Sequence, residues 1–200
     1  QISLAGNAQH HTAEVVFMGL SVLAVMVALS VAERDLPVYD LVQAREYGPL
    51  RPTIGWSMLA GVAMGLYLWA WPPAVLLYGI LAVFFVVHLS AEHVRGRSPE
   101  HSAFVGVVAF GTAGVLQLGM VRTVELSATN QSLLQPGMGI AIAAGIAFLA
   151  WLSREVHDRG HSPYTYPGAI AGAIVVVAAL TALLLPGLFD FFLNEVDRVL

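Results

Sequence analysis

Six long runs of hydrophobic residues make up most of this chain, and polar or charged stretches separate them. A helix needs about 20 apolar residues to cross the bilayer core, where its backbone must satisfy its own hydrogen bonds. Each run therefore predicts a membrane-spanning helix, and the predicted fold class is all-α integral membrane. The helices are expected near residues 13–32, 54–71, 73–91, 102–121, 137–153 and 168–186.

Only Trp71-Pro72-Pro73 separates the second run from the third. Proline disfavours helix at the residue before it and cannot continue the helical hydrogen-bond pattern. The sequence therefore favours a tight helical hairpin at this corner, and one long kinked helix is the alternative. Aromatic side chains surround the corner, as they do at membrane interfaces; they are Tyr67, Trp69, Trp71 and Tyr78.

The arginines predict how the helices are oriented. Seven of the nine basic residues fall in the segments 33–53, 92–101 and 154–167. Cytoplasmic loops carry an excess of basic residues, so these segments are expected inside and the N-terminus outside. Part of segment 33–53 has the pattern of a short helix lying on the membrane surface, with a solvated connector as the alternative.

Composition strengthens the membrane interpretation and excludes other classes. The chain is 58% hydrophobic and 11% charged, whereas soluble domains carry about 25% charged residues. The absence of cysteine excludes disulfides and thiolate metal sites, and the net charge of -4 gives no reason to expect nucleic acid. No predicted span carries a chain of charges, which argues against an ion pump. Without repeats or linkers, residues 1–200 are interpreted as a single membrane domain.

Gln9-His10-His11-Thr12-Ala13-Glu14, at the predicted external start of the first helix, is the most suggestive cluster. Helical spacing allows Glu14 to share a face with either histidine. Imidazole and carboxylate are common metal ligands, so the cluster is a candidate metal or substrate site. An acidic residue in a first helical turn also suits the helix dipole, which is the alternative explanation.

Three other polar features lie in or between the hydrophobic runs. His88 is expected to pack in the helix bundle or to extend toward its inner end. Gln117 is expected to form a hydrogen bond with a neighbouring helix. Asn130-Gln131-Ser132 fits the pattern of a glycosylation acceptor, which many unmodified sequences also fit.

Several short segments together resemble a known family. They are His10-His11-Thr12-Ala13-Glu14, Val31 to Pro37, Gly65 to Pro73, Arg97-Ser98-Pro99-Glu100-His101 and Ser132-Leu133-Leu134-Gln135-Pro136. They are similar to the archaeal oligosaccharyltransferase catalytic subunit, especially its haloarchaeal members. The resemblance covers nearly the whole chain but only the middle of that family's membrane domain, so the chain is expected to be an internal fragment.

The resemblance implies a membrane domain of GT-C type and a transferase activity. The family moves an oligosaccharide from a dolichyl phosphate carrier to asparagine in Asn-x-Ser/Thr sequons of acceptor proteins. It uses Mn²⁺ or Mg²⁺, and its archaeal members often read Asp-His-His where this sequence has Gln9-His10-His11. His11 would then be a metal ligand, whereas Gln9 departs from the expected aspartate. Loss of metal binding and compensation by another ligand such as Glu14 are both open.

The same resemblance assigns the aromatic corner to the lipid carrier. Tyr67, Trp69 and Trp71 would lie near its headgroup, beside membrane lipid. No catalytic residue of the family is expected within this fragment, which alone is expected to be inactive. Two alternatives remain open: a non-enzymatic membrane scaffold subunit or small transporter, and another lipid-linked-sugar glycosyltransferase of the same fold.

Overall fold

The computed structural model describes the backbone of residues 2–33, 36–184, 187, 189, 190 and 194, and side chains from residue 14 onward. This part of the chain is helical and contains no strand, only an isolated bridge between Thr123 and Ser132. A 3₁₀ turn (Pro72–Ala74) precedes α4. The helices are α1 (Ile2–Val31), α2 (Val38–Ala44), α3 (Arg51–Ala70), α4 (Val75–Val94), α5 (Glu100–Leu118), α6 (Leu134–Asp158) and α7 (Thr165–Leu184).

Six of these helices are long and apolar enough to cross a membrane, as the hydrophobic runs predict. The seventh, α2, lies within segment 33–53, where a short surface helix was one of the two expectations. The helices are buried within the bundle to different extents: 56% of the hydrophobic window of α5 is buried, but only 6% of that of α7. The central position of α5 therefore organises the packing, and α7 lies at the edge.

The helix boundaries differ from the predicted ones for local reasons. α3 begins at Arg51 and α6 at Leu134, in each case three residues before the hydrophobic run. Pro52 and Pro136 lie in the first turns, where a missing N–H removes no helical hydrogen bond. α1 begins at Ile2, well before the expected residue 13. Residues 185 and 186, the expected end of the last helix, lie outside the described residues.

The chain breaks at the Trp-Pro-Pro corner, but α3 and α4 do not form a tight hairpin. Trp71 is extended, with φ −150° and ψ 101°, and its N–H donates to the Tyr67 carbonyl at 2.9 Å. α5 packs against both helices: Thr112 lies against Gly61 of α3, and the Phe110 ring lies 5.3 Å from the Tyr78 ring of α4. The expectation of a tight hairpin is wrong in this respect, because α5 separates the two antiparallel helices.

Small residues allow the central helices to approach closely, as is common in membranes. A Cβ added to Gly139 of α6 would lie 2.9 Å from the Gly114 Cα of α5. Between α3 and α5, the Gln117 amide donates to the Gly65 carbonyl at 2.8 Å. The expectation that Gln117 bonds a neighbouring helix is therefore confirmed.

Alternating helix directions give the bundle two chemically different ends. The arginine-rich end comprises the segments that join α1 to α3, α4 to α5 and α6 to α7. The aromatic end comprises the first side chains of α1 from Glu14, the corner 71–74 and the loop 119–133. Glu14 and the candidate carrier residues Tyr67, Trp69 and Trp71 lie at the aromatic end.

Candidate functional site at the aromatic end

Glu14 of α1 and Tyr67 of α3 lie near each other at the aromatic end. Glu14 is half-buried, and Tyr67 is only 5% exposed. The two side chains are close enough to interact electrostatically. A carboxylate is costly at the edge of a membrane unless polar groups surround it. The phenol of Tyr67 is the nearby polar group that the structure shows on α3.

The three aromatic residues assigned to the lipid carrier differ in exposure. The Tyr67 and Trp71 rings lie 6.2 Å apart, and Trp71 is half-buried. Trp69 is 38% exposed and projects from the bundle surface. The structure therefore brings the predicted residues to one end but turns Tyr67 inward, and Trp69 is the residue best placed to meet a lipid.

The loop 119–133 is anchored onto the end of α3 by Gln131. Its side-chain amide donates to the Leu68 carbonyl at 2.8 Å. Carbonyls in the last turn of a helix lack helical partners, so this bond satisfies a group that would otherwise need water. The Gln131 carbonyl in turn accepts from the Arg122 N–H at 3.0 Å. Sequence reasoning missed this anchor; the signal is a polar amide placed just before a new helix.

A second polar network closes the loop against the start of α6. Ser132 is 1% exposed, and its hydroxyl donates to the Ser127 carbonyl at 2.9 Å. The Gln135 amide donates to the Asn130 carbonyl at 2.8 Å. The hydroxyl of the Asn130-Gln131-Ser132 acceptor pattern is therefore engaged inside the fold. Gln135, which is fully buried, is another residue whose role the sequence did not indicate.

The structure describes the side chain of one of the three candidate metal ligands. The side chains of Gln9 and His11 lie outside the described residues, so Glu14 is the candidate ligand that the structure places. Among the residues whose side chains are described, no group of three or more His, Asp or Glu could hold a metal ion. One carboxylate does not make a metal site.

The fold and its hydropathy define a multi-pass helical membrane protein. Over 190 residues, or 95% of the chain, it is 42% identical to the dolichyl-monophosphooligosaccharide–protein glycotransferase AglB of Haloferax volcanii. The chain covers 18% of that protein. No family model matches the chain.

Solved structures show the same fold. The apo oligosaccharyltransferase of Archaeoglobus fulgidus matches 96% of this chain with a TM-score of 0.74 at 18% identity, over 22% of its own length. The same enzyme tethered to an acceptor peptide with the NVT sequon matches 88% with a TM-score of 0.68 at 17% identity, over 20% of its length. Its complex with Zn and sulfate matches 88% with a TM-score of 0.65 at 18% identity, over 21% of its length.

These similarities confirm the resemblance to the archaeal oligosaccharyltransferase catalytic subunit. Nearly the whole chain is similar to one segment of such a protein, and that segment makes up 18% of AglB.

Proposed function

We propose that this chain is part of the membrane domain of an oligosaccharyltransferase that N-glycosylates proteins. In the reaction, the amide nitrogen of a sequon asparagine loses a proton and bonds to the first sugar of the donor. The bond between that sugar and the phosphate oxygen breaks, and dolichyl phosphate departs. The observation that carries the proposal is the 42% identity to AglB, whose name states this donor class and a protein acceptor. The A. fulgidus enzyme tethered to an NVT peptide supports the sequon as acceptor.

Within such an enzyme, the aromatic end faces outward and forms part of the groove for the lipid carrier. The arginine distribution supports this orientation. Of the seven arginines assigned inside, the structure describes six, and all six lie at the opposite end of the bundle. Trp69, exposed at the bundle surface, is the proposed contact for the carrier near its headgroup, with Trp71 beside it. Tyr67 lies inside the bundle, near Glu14.

The proposed enzyme uses a divalent metal ion, Mn²⁺ or Mg²⁺. The complex of the A. fulgidus enzyme with Zn supports a divalent ion. His11 is the proposed ligand in this chain, with Glu14 in place of the carboxylate that Gln9 lacks. Hard cations prefer carboxylate oxygens to neutral amides, which favours Glu14 over Gln9 as a donor.

The test uses the purified full-length protein that contains this segment, a dolichyl-phosphate-linked oligosaccharide and an Asn-Val-Thr peptide. We expect glycopeptide from this peptide and none from a Gln-Val-Thr control. We also expect a chelator to stop transfer and Mn²⁺ or Mg²⁺ to restore it. Absence of any transfer would favour a scaffold or transporter, and donor turnover without sequon dependence would favour another lipid-linked-sugar transferase.

The ligand role of His11 has a separate test in the same assay. His11→Ala should raise the metal concentration needed for half-maximal transfer, because a ligand is lost. An unchanged metal titration in this variant would exclude His11 as a ligand without affecting the proposed transferase activity.

A further inference from the structure

The acceptor pattern Asn130-Gln131-Ser132 lies in the loop 119–133, at the end of the bundle that the proposed orientation places outside. The pattern is an asparagine followed two residues later by serine or threonine, with any residue except proline between them. Asn130 is exposed in the folded loop. Judged by the pattern and this exposure alone, the Asn130 amide is a site for an N-linked glycan.

The third residue of the pattern is in a different environment. Because the pattern accepts serine or threonine there, a transferase that uses it must recognise a hydroxyl group, which these two side chains share. The Ser132 hydroxyl is buried and donates to the Ser127 carbonyl at 2.9 Å, with the Gln135 Oε1 atom at 3.1 Å as a second acceptor. It also accepts from the Ser127 and Leu134 N–H groups, at 3.1 and 3.2 Å. One proton and two lone pairs are all that a hydroxyl offers, so none is left for an enzyme.

The rest of the pattern is also bound within the fold. The Asn130 carbonyl accepts from the Gln135 side-chain amide at 2.8 Å, and the Asn130 Nδ2 atom donates to the Ser127 hydroxyl at 3.3 Å. The Gln131 carbonyl accepts from the Arg122 N–H at 3.0 Å. These bonds must break before the segment can leave the loop and enter the active site of an enzyme, so the closed loop is not a substrate.

We propose that Asn130 is an acceptor for an N-linked glycan that the folded loop protects. Its Nδ2 atom is modified while segment 127–135 is locally open, and not while that segment is closed. In the reaction, Nδ2 loses a proton and bonds to the first sugar of the donor, and the bond between that sugar and the phosphate oxygen breaks. The proposal rests on the proposed function for the enzyme, and it gives this chain a second role as an acceptor.

The first test compares the free segment with the folded protein. The acceptors are a synthetic peptide of residues 124–138, which serves as the open form, and the full-length protein; the donor is a dolichyl-phosphate-linked oligosaccharide. The full-length Asn130→Gln variant is the enzyme, so every glycan found on Asn130 lies on the acceptor. We expect the peptide to be glycosylated and its Ser132→Ala form not to be. The folded protein should react at least about tenfold more slowly than the peptide, because the rate follows the population of the open segment.

The second test opens the loop in the full-length protein, with the fold of each variant checked by circular dichroism. Gln135→Ala removes the donor to the Asn130 carbonyl and an acceptor of the Ser132 hydroxyl, and should speed the modification of Asn130 about tenfold or more. Ser127→Ala, at a half-buried position, removes the bond to the Asn130 Nδ2 atom and should speed it less. Glu125→Gln is the matched control, because the Glu125 side chain is exposed in the same loop and lies outside this network.

An Asn-Val-Thr peptide in every reaction separates this proposal from the proposed function. If that peptide is not glycosylated, the transferase activity and the acceptor role are overturned together. If it is glycosylated and the peptide of residues 124–138 is not, the acceptor role alone is overturned. The acceptor role is equally overturned if the folded wild type reacts as fast as the free peptide, or if neither folded loop variant reacts faster than the wild type. It is also overturned if Glu125→Gln speeds the reaction as much as Gln135→Ala does.

Discussion

Replacing Gly139 by alanine tests the close packing of α5 and α6, on which the shape of the bundle depends. The new Cβ would lie 2.9 Å from the Gly114 Cα, 3.1 Å from the Gly114 nitrogen and 3.2 Å from the Phe110 carbonyl oxygen. All three are backbone atoms, so no side chain can rotate away. The helices must separate, and contacts along the rest of their interface weaken.

The magnitude follows from two opposing effects. Alanine stabilises a helix interior by about 0.5–1 kcal/mol relative to glycine. Overpacking a close-packed interface costs about 1–3 kcal/mol. Gly145, in the same helix, has no heavy atom within 4 Å of an added Cβ. Gly145→Ala therefore gains the same helix stabilisation without steric overlap with α5. The difference in unfolding free energy between the two variants isolates the cost of overpacking.

The assay is reversible unfolding of the purified protein in mixed micelles of increasing denaturing detergent, followed by circular dichroism. We expect Gly139→Ala to unfold more easily than Gly145→Ala, by about 1–3 kcal/mol. Equal stability of the two variants within about 0.5 kcal/mol would refute the proposed α5–α6 contact.

Two further predictions concern orientation and the edge helix. The chain has no cysteine, so a single introduced cysteine can be labelled selectively in a full-length protein without other cysteines. Glu125→Cys should react with an impermeant maleimide on intact cells. Ser162→Cys should react only after permeabilisation, and the reverse pattern would invert the proposed topology. Tyr166→Phe removes a donor to the Leu149 carbonyl at 3.0 Å and should cost about 1 kcal/mol in the same unfolding assay. Tyr164→Phe, at a position 73% exposed, should cost nothing measurable, and equal losses would argue against the bond.

Membrane spans could be predicted from sequence because length and hydropathy decide them directly. The helix starts at Arg51 and Leu134 were placed three residues too late, because hydropathy alone ignores the signal of proline in a first helical turn. The separation of α3 from α4 could not be predicted from the sequence. It depends on where the following helix packs, because α5 places Phe110 against α4 and Thr112 against α3.

Among the polar residues too, some roles could be predicted from the local sequence and others depend on how distant segments pack. Gln117 could be assigned an interhelical bond because a lone amide in an apolar run must find a partner. The roles of Gln131 and Gln135 depend on which carbonyls the loop brings near, and sequence does not show that. His88, expected to pack or extend, stacks on Phe84 and bonds the Ser102 hydroxyl at 3.0 Å.

The proposed site at the aromatic end is tested most directly by comparing two carboxylates of that end in the glycan transfer assay. Glu14 lies beside Tyr67, whereas Glu125 is exposed in the loop. In the full-length protein, Glu14→Gln should reduce the rate of transfer to the Asn-Val-Thr peptide about tenfold or more, with a greater need for metal. Glu125→Gln should leave both unchanged. Equal rates and equal metal titrations for the two variants would contradict the proposal that Glu14 belongs to the active centre.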